Sequence, residues 1–458
     1  MKKNLLLLAT VLLGCGMLAC SKGEEAAPET VHLQGQLVGI GTDNIRMSYN
    51  GAASMVGDSR DLWLKIDDQG RFDTTFVLTE PAYYNISRNT LYLTPGDDLT
   101  VRITSNNDEA QFSGRGAAAN NYMKYRLFPK AGSFLAGGEQ IGEDFPSTKS
   151  LVQKLAGERR HQLDTLTGVS DRFKKLEGAR ITADIINSYT SYPAYSNMME
   201  SAKDRDEMIQ RLEAHMKSLT PDVAPLFKEI AEDPELLDVA VVRDVLYYRK
   251  DTLLAPLWLG NVTFPERTRE LYQSAKVVSD LRSNGVSQEV VDSTNLFIRS
   301  LKNKDFADEL RAKVSQASLL LPGQPAIDFK LTDTEGNPHM LSDFRGKVLY
   351  IDLWATWCGP CLNESPHFEA LAKKYEGKDI TFIPISTDTT VKPWLEFLKD
   401  HKKDLTQYHS DDMVLKEKWA IMYIPRFILI DKDFNIVNAY APRPSSEEIS
   451  PLLDSLLK

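Results

Sequence analysis

The chain has 458 residues, too many for one ordinary core, so length alone leads to an expectation of two to four domains. Its 54 basic and 64 acidic side chains leave a formal net charge of -10, which argues against a dedicated nucleic-acid binder. Four cysteines in the whole chain exclude a disulfide-rich scaffold, and their positions separate them further.

At the start, Lys2 and Lys3 precede an apolar run from Leu5 to Leu13 that is too short to span a bilayer, and Met17-Leu18-Ala19-Cys20 follows. This is the layout of a secretory signal. A cysteine directly after a small residue resembles the lipobox of bacterial lipoproteins. The resemblance implies a signal peptide over residues 1–19 and a lipid on Cys20, with Cys15 as a competing site and an unlipidated signal peptide as the plain alternative. Glu24-Glu25 resembles the surface-export tether of Bacteroidetes lipoproteins. The implied location is the cell envelope, lipid-anchored at the outer membrane, on its periplasmic face or at the cell surface. Residues 20–30 read as a flexible tether.

From Val31 the apolar positions alternate: Val31 and Leu33; Leu62, Leu64 and Ile66; Phe72, Phe76 and Leu78; Leu99, Val101 and Ile103. Turn chemistry at Asp67-Asp68-Gln69-Gly70 and Pro95-Gly96-Asp97-Asp98 separates these runs. The reading is an antiparallel, sandwich-like β domain over residues 31–115. It resembles the small β domain that precedes thioredoxin-like domains in many Bacteroidetes lipoproteins, at Gly70-Arg71-Phe72 and Leu93-Thr94-Pro95-Gly96-Asp97.

After Gly116 the apolar period becomes helical, as in Met208, Ile209, Leu212, Met216 and Leu219, with Thr220 as the expected N-cap of a further helix before Pro221. Residues 117–318 therefore read as a helical domain, in which aromatics such as Tyr189 and Tyr192 are core. No chemistry is assigned to it. Leu321-Pro322-Gly323-Gln324-Pro325 opens a last segment, 321–458, with an α/β layout around a buried strand from Val348 to Leu353. The expected fold class is thus multidomain α+β, with an α/β C-terminal domain.

That strand leads into Trp357-Cys358-Gly359-Pro360-Cys361. Two thiols two residues apart at a strand-to-helix junction can form and break a disulfide without large backbone movement, as a dithiol redox catalyst requires. Zinc would need four ligands, and neither a second cysteine pair nor a nearby histidine pair is present in the exported sequence, so no metal or other cofactor is expected. Cys358, just before a helix, meets unpaired N–H groups and the positive end of the helix dipole, which favour a thiolate nucleophile. Cys361, one turn further on, is the resolving thiol.

Pro325 to Phe329, Gly346-Lys347, Trp354 to Cys361, Pro366 and Ile424-Pro425 together resemble the thioredoxin superfamily, specifically its exported TlpA/ResA-type thiol-disulfide oxidoreductases. The resemblance implies a thioredoxin-like fold for 321–458. Gly359-Pro360 is similar to thioredoxin's own dipeptide, which implies a reducing poise near thioredoxin's, about -270 mV. Asp352 matches the buried acid of thioredoxins, able to take the proton from Cys361. Glu364 matches the active-site glutamate of ResA-type proteins, and which acid acts is open, because both are present. Ile424-Pro425 resembles the cis-proline loop that faces the dithiol, which implies strand-like pairing of Ile424 with an extended substrate. Trp357 is expected to shield Cys358 and contact substrate, and Arg426 either favours anionic substrates or is solvated.

The implied partners are protein or small-molecule disulfides, an upstream electron donor in the envelope and, through the lipid, the membrane. The alternative is a partner-binding scaffold lipoprotein in which the dithiol is incidental. A peroxiredoxin-type peroxidase needs Pro and Thr seven and three residues before the reactive cysteine, where this chain has Ile351 and Ala355.

Overall fold

The computed structural model describes residues 30–41, 44–124, 132–250 and 262–458. The expected signal peptide, Cys20 and all of the tether but Thr30 lie outside the described residues.

The first part holds β1 (Thr30–Leu37), β2 (Asn44–Tyr49), β3 (Leu62–Lys65), β4 (Arg71–Val77), β5 (Ala82–Ile86), β6 (Asn89–Leu93), β7 (Asp98–Ile103) and β8 (Gln111–Arg115). They form two four-stranded sheets, in the orders β4-β1-β7-β8 and β3-β2-β5-β6. One pairing departs from the antiparallel expectation: β1 runs parallel to β7, from His32 beside Asp98 to Leu37 beside Ile103. A hairpin turn dictates antiparallel pairing only for strands adjacent in sequence, and β2 to β6 intervene here, a connection long enough for a parallel pair. The backbones approach so closely that a Cβ on Gly35 (φ +146°) would lie 1.8 Å from the Val101 carbonyl oxygen.

Helices follow: α1 (Ala117–Met123), α2 (Phe145–Thr165), α3 (Asp171–Tyr195), α4 (Arg205–Ser218), α5 (Thr220–Ala231), α6 (Ala240–Lys250), α7 (Glu266–Asn284), α8 (Gln288–Ser300) and α9 (Lys304–Ser318). Thr220 is the first residue of α5 and Leu219 takes the cap position, so α4 runs into α5 almost without a break. Helix α3 is buried along most of its length, which its sequence allows because Glu177 and Arg180 satisfy each other. The Arg180 guanidinium donates to both Glu177 carboxylate oxygens at 3.0 Å, and Tyr83 of β5 donates to the same carboxylate at 2.7 Å. One apolar cluster runs from Val31 through both sheets and the helices to Leu321.

The last part contains β9 (Lys330–Asp333), β10 (Pro338–Met340), β11 (Val348–Trp354), α10 (Gly359–Lys374), β12 (Ile380–Ser386), α11 (Val391–Asp400), β13 (Tyr408–His409), α12 (Met413–Glu417), β14 (Arg426–Ile430), β15 (Ile436–Asn438) and α13 (Ile449–Leu456). Its sheet has the order β10-β9-β13-β12-β11-β14-β15. Strand β11 is central and buried throughout, parallel to β12 and antiparallel to β14. Apolar clusters cover both faces of this sheet. Val286, just after α7, packs against both this domain's core and the larger cluster.

Candidate active site

Strand β11 ends at Trp354, and Ala355 to Trp357 turn the chain into α10, whose N-cap is Cys358. An N-cap side chain accepts from a free N–H of the first turn. Here Cys358 Sγ accepts from the Cys361 N–H at 3.2 Å, and the two sulfurs are joined as a disulfide with Cα atoms 5.3 Å apart. Pro360, in the first turn of α10, removes a donor that would have no helical partner. Both cysteines are buried among Trp354, Ala355 and Trp394, with Ile424 packed against the same cluster. Trp357, next to Cys358, is 73% exposed. The Ile424–Pro425 bond is cis.

Asp352, six residues before Cys358 on β11, is buried, and its Oδ1 makes no hydrogen bond. Burial pushes its carboxyl up to about 8, against the pull of Lys403 and with a push from Glu364. Beside it lies a cavity of about 10 Å³, space for one water, lined in part by Asp352, Ser365, Glu369 and Lys403. Lys403 donates to Ser365 Oγ at 2.6 Å and lies 3.3 Å from the Glu369 carboxylate. Glu364 is also buried, but its carboxylate faces the segment before α13: it accepts from Ser445 N and Oγ at 3.2 and 2.9 Å, with Arg443 at 3.8 Å.

Two further residues shape the site. Asp388, buried just past β12, accepts from the Thr356 N–H at 3.1 Å, the Thr356 hydroxyl at 2.8 Å and the Ser386 hydroxyl at 2.7 Å, and so holds the turn that presents Cys358. Sequence reasoning passed over it; a carboxylate closely following a buried parallel strand was the available signal. Arg426 is neither solvated nor turned to a substrate. It is buried, donates to the Ala439 carbonyl at 2.9 Å and lies 3.5 Å from the centre of the Tyr440 ring, beneath the loop that carries Ile424. The arrangement thus gathers Cys358, Cys361, Trp354 and Ile424 into one apolar cluster, while Asp352 feels Glu364 only through space. Among the described residues no group of three or more His, Cys, Asp or Glu could hold a metal ion.

Residues 321–456 match the Redoxin family. Among curated relatives, the thiol-disulfide oxidoreductase ResA of Bacillus thuringiensis subsp. konkukian is 28% identical over 134 residues, covering 29% of this chain and 78% of the relative. ResA of Geobacillus kaustophilus is 29% identical over 138 residues, covering 29% and 77%. Similar solved structures include a candidate thiol-disulfide oxidoreductase from Bacteroides vulgatus, 76% identical over 31% of this chain and 99% of that one, TM-score 0.30. Another is the exposed lipoprotein thioredoxin of Streptococcus pneumoniae, 26% identical over 28% of this chain and 98% of that one, TM-score 0.25. Through its last third, this chain is a TlpA/ResA-type member of the thioredoxin superfamily and a thiol-disulfide oxidoreductase.

Proposed function

We propose that the chain is a reductase of the cell envelope, held to a membrane by a lipid on Cys20, which passes electrons from an envelope donor to substrate disulfides. The observation that carries this reading is the dithiol at the N-cap of α10 on the same strand-to-helix unit as the unpartnered Asp352. In the reduced enzyme the Cys358 thiolate attacks a substrate disulfide, forming a mixed disulfide and expelling one substrate thiolate. The ionised form of Asp352, a minority below its raised pKa of about 8, takes the proton of Cys361, which attacks Cys358 Sγ, releases the second substrate thiolate and leaves Cys358–Cys361 oxidised. Two electrons have passed to the substrate, and the donor must restore the dithiol.

Gly359-Pro360 supports the reducing direction, by its likeness to thioredoxin's dipeptide. Pro425 and Ile424 supply a wall for the bound substrate, and Trp357 an exposed apolar contact beside the attacked bond. Glu364, held by Ser445, positions the start of α10 against the end of the fold, and acts on Asp352 only as a nearby negative charge.

The expected outcome is that Cys358→Ser abolishes reduction of a test disulfide, while Cys361→Ser accumulates mixed disulfides, both read by gel shift of trapped adducts. Wild-type reduction by the double serine variant would overturn the reading. For the anchor, Cys20→Ser is expected to move the chain from the membrane fraction to the soluble one.

A further inference from the structure

The loop before Pro425 does more than face the dithiol. Through Ala420, Ile421 and Met422 it forms one wall of a groove of about 790 Å³, whose other wall comes from outside the redox domain: Trp63 on β3, Lys313 in the second half of α9 and Leu319 just past its end. Trp63, Leu319, Met413 and Met422 line this groove and are 52%, 45%, 43% and 61% exposed. Single exposed apolar side chains are ordinary on any surface. Four around one cleft are not.

The groove's charges are largely spent on each other. Arg46 pairs with Asp58 at 3.2 Å and with Asp61, and Lys313 pairs with Asp58 at 2.6 Å. Glu417 and Lys418 add one charge of each sign at its edge. What remains to offer a visitor is apolar surface, partly from methionines, whose flexible thioethers adapt to side chains of different shape.

We propose that this groove binds the polypeptide flanking the substrate's disulfide, an extended segment rich in apolar side chains, so that residues outside the redox domain select the substrate. The proposal rests on the reductase reading above. Its occupant follows from continuity: Met422 stands two residues from Ile424, which packs on the dithiol cluster. An extended segment that lies along this loop from Ile424 toward Met422 leads from the dithiol cluster to the groove's wall. A volume of this size suits a few side chains of such a segment.

The test uses the full chain, reduced beforehand with dithiothreitol, and two ten-residue peptides. Each carries one cysteine capped as the mixed disulfide with thionitrobenzoate, one peptide flanked by Leu, Val and Phe, the other by Glu and Ser. Cys358 attacks the peptide sulfur and expels coloured thionitrobenzoate; Cys361 then displaces the peptide thiol, so the probe gains the two electrons the dithiol loses. The apolar peptide is expected to half-saturate the single-turnover rate at a concentration about tenfold lower than the acidic one. Trp63→Asp and Leu319→Asp are each expected to remove most of that difference, and Trp63→Phe to retain it. Both side chains are exposed, so the changes leave no cavity in the core. Equal half-saturation in the wild type overturns the proposal, as does a preference that survives both aspartates, or sedimentation showing that a second copy of the chain fills the groove. If the reduced wild type leaves both peptides uncleaved, the reductase reading fails instead.

Discussion

Asp352 makes the protein's stability depend on pH in a direction opposite to that of most carboxylates. Its folded carboxyl sits near 8 because burial disfavours the charge, while an unfolded aspartate titrates near 4. The folded state therefore holds a proton that the unfolded state releases between about pH 4 and pH 8. Stability contributed by this group is present below pH 4, falls by at most about 1.4 kcal/mol per pH unit across that window, and is constant above it. Asp352→Asn is expected to remove the slope, so that urea melts of the oxidised protein show the variant gaining on the wild type from pH 5 to pH 9. A wild type that gained on Asn instead would mean a paired carboxylate. Asp388 acts through hydrogen bonds, accepting from Thr356 N–H, the Thr356 hydroxyl and the Ser386 hydroxyl. Asp388→Ala strips partners from Thr356 and Ser386, at a cost of about 1–3 kcal/mol, and is expected to slow disulfide exchange by loosening the turn before Cys358. Of these residues, the cysteines were legible from their spacing at a strand-to-helix junction, and Asp352 from its place in an apolar run, where it resembles the buried acid of thioredoxins. Asp388 and Lys403 come from other segments and were not; Arg426, beside the cis-proline, was legible as a charge but not as a buried brace.

Among elements, β1, β3, β4 and β7 were readable because each alternates apolar and polar residues. Strands β5 and β6 were not, because they are buried along nearly their whole length with helices packed on them, which erases the alternation. Asn120 of α1, for example, bonds both the N–H and the carbonyl of Tyr92 at 2.9 Å. The parallel β1–β7 pair was equally hidden, since pairing partners distant in sequence leave no local trace. Its one local mark is Gly35. Gly35→Ala would drive a Cβ into the Val101 carbonyl and ask a non-glycine residue to hold φ +146°. The expected result is a loss of more than about 2 kcal/mol in thermal or denaturant unfolding, from strain at a special backbone conformation. A variant as stable as the wild type would mean that these strands can separate cheaply.

At the scale of the molecule, the change of period at residue 116 marks a change of secondary structure, while the apolar core continues across it. Tyr83 of β5 shares the buried Glu177–Arg180 pair of α3, and Ser59 N and Oγ donate to Glu309 of α9 at 3.1 and 2.6 Å. Glu177→Ala leaves the Arg180 charge buried and unpaired, at a cost of about 3–5 kcal/mol. Calorimetry is expected to show strands and helices melting together, at a temperature lowered by this substitution, while the redox domain's own transition stays in place. Separate melting of strands and helices would refute the shared core. One junction in this architecture sets how the enzyme meets its substrates: Leu320 belongs to the redox domain's core and Leu321 to the other. Two neighbouring residues anchored in different cores form a hinge with no slack, so the catalytic head does not roam on a leash as it would on a glycine-rich linker. If the groove takes the substrate as proposed, partners must diffuse to a two-walled cleft, and encounter rates follow how often a reactive disulfide arrives in the right orientation.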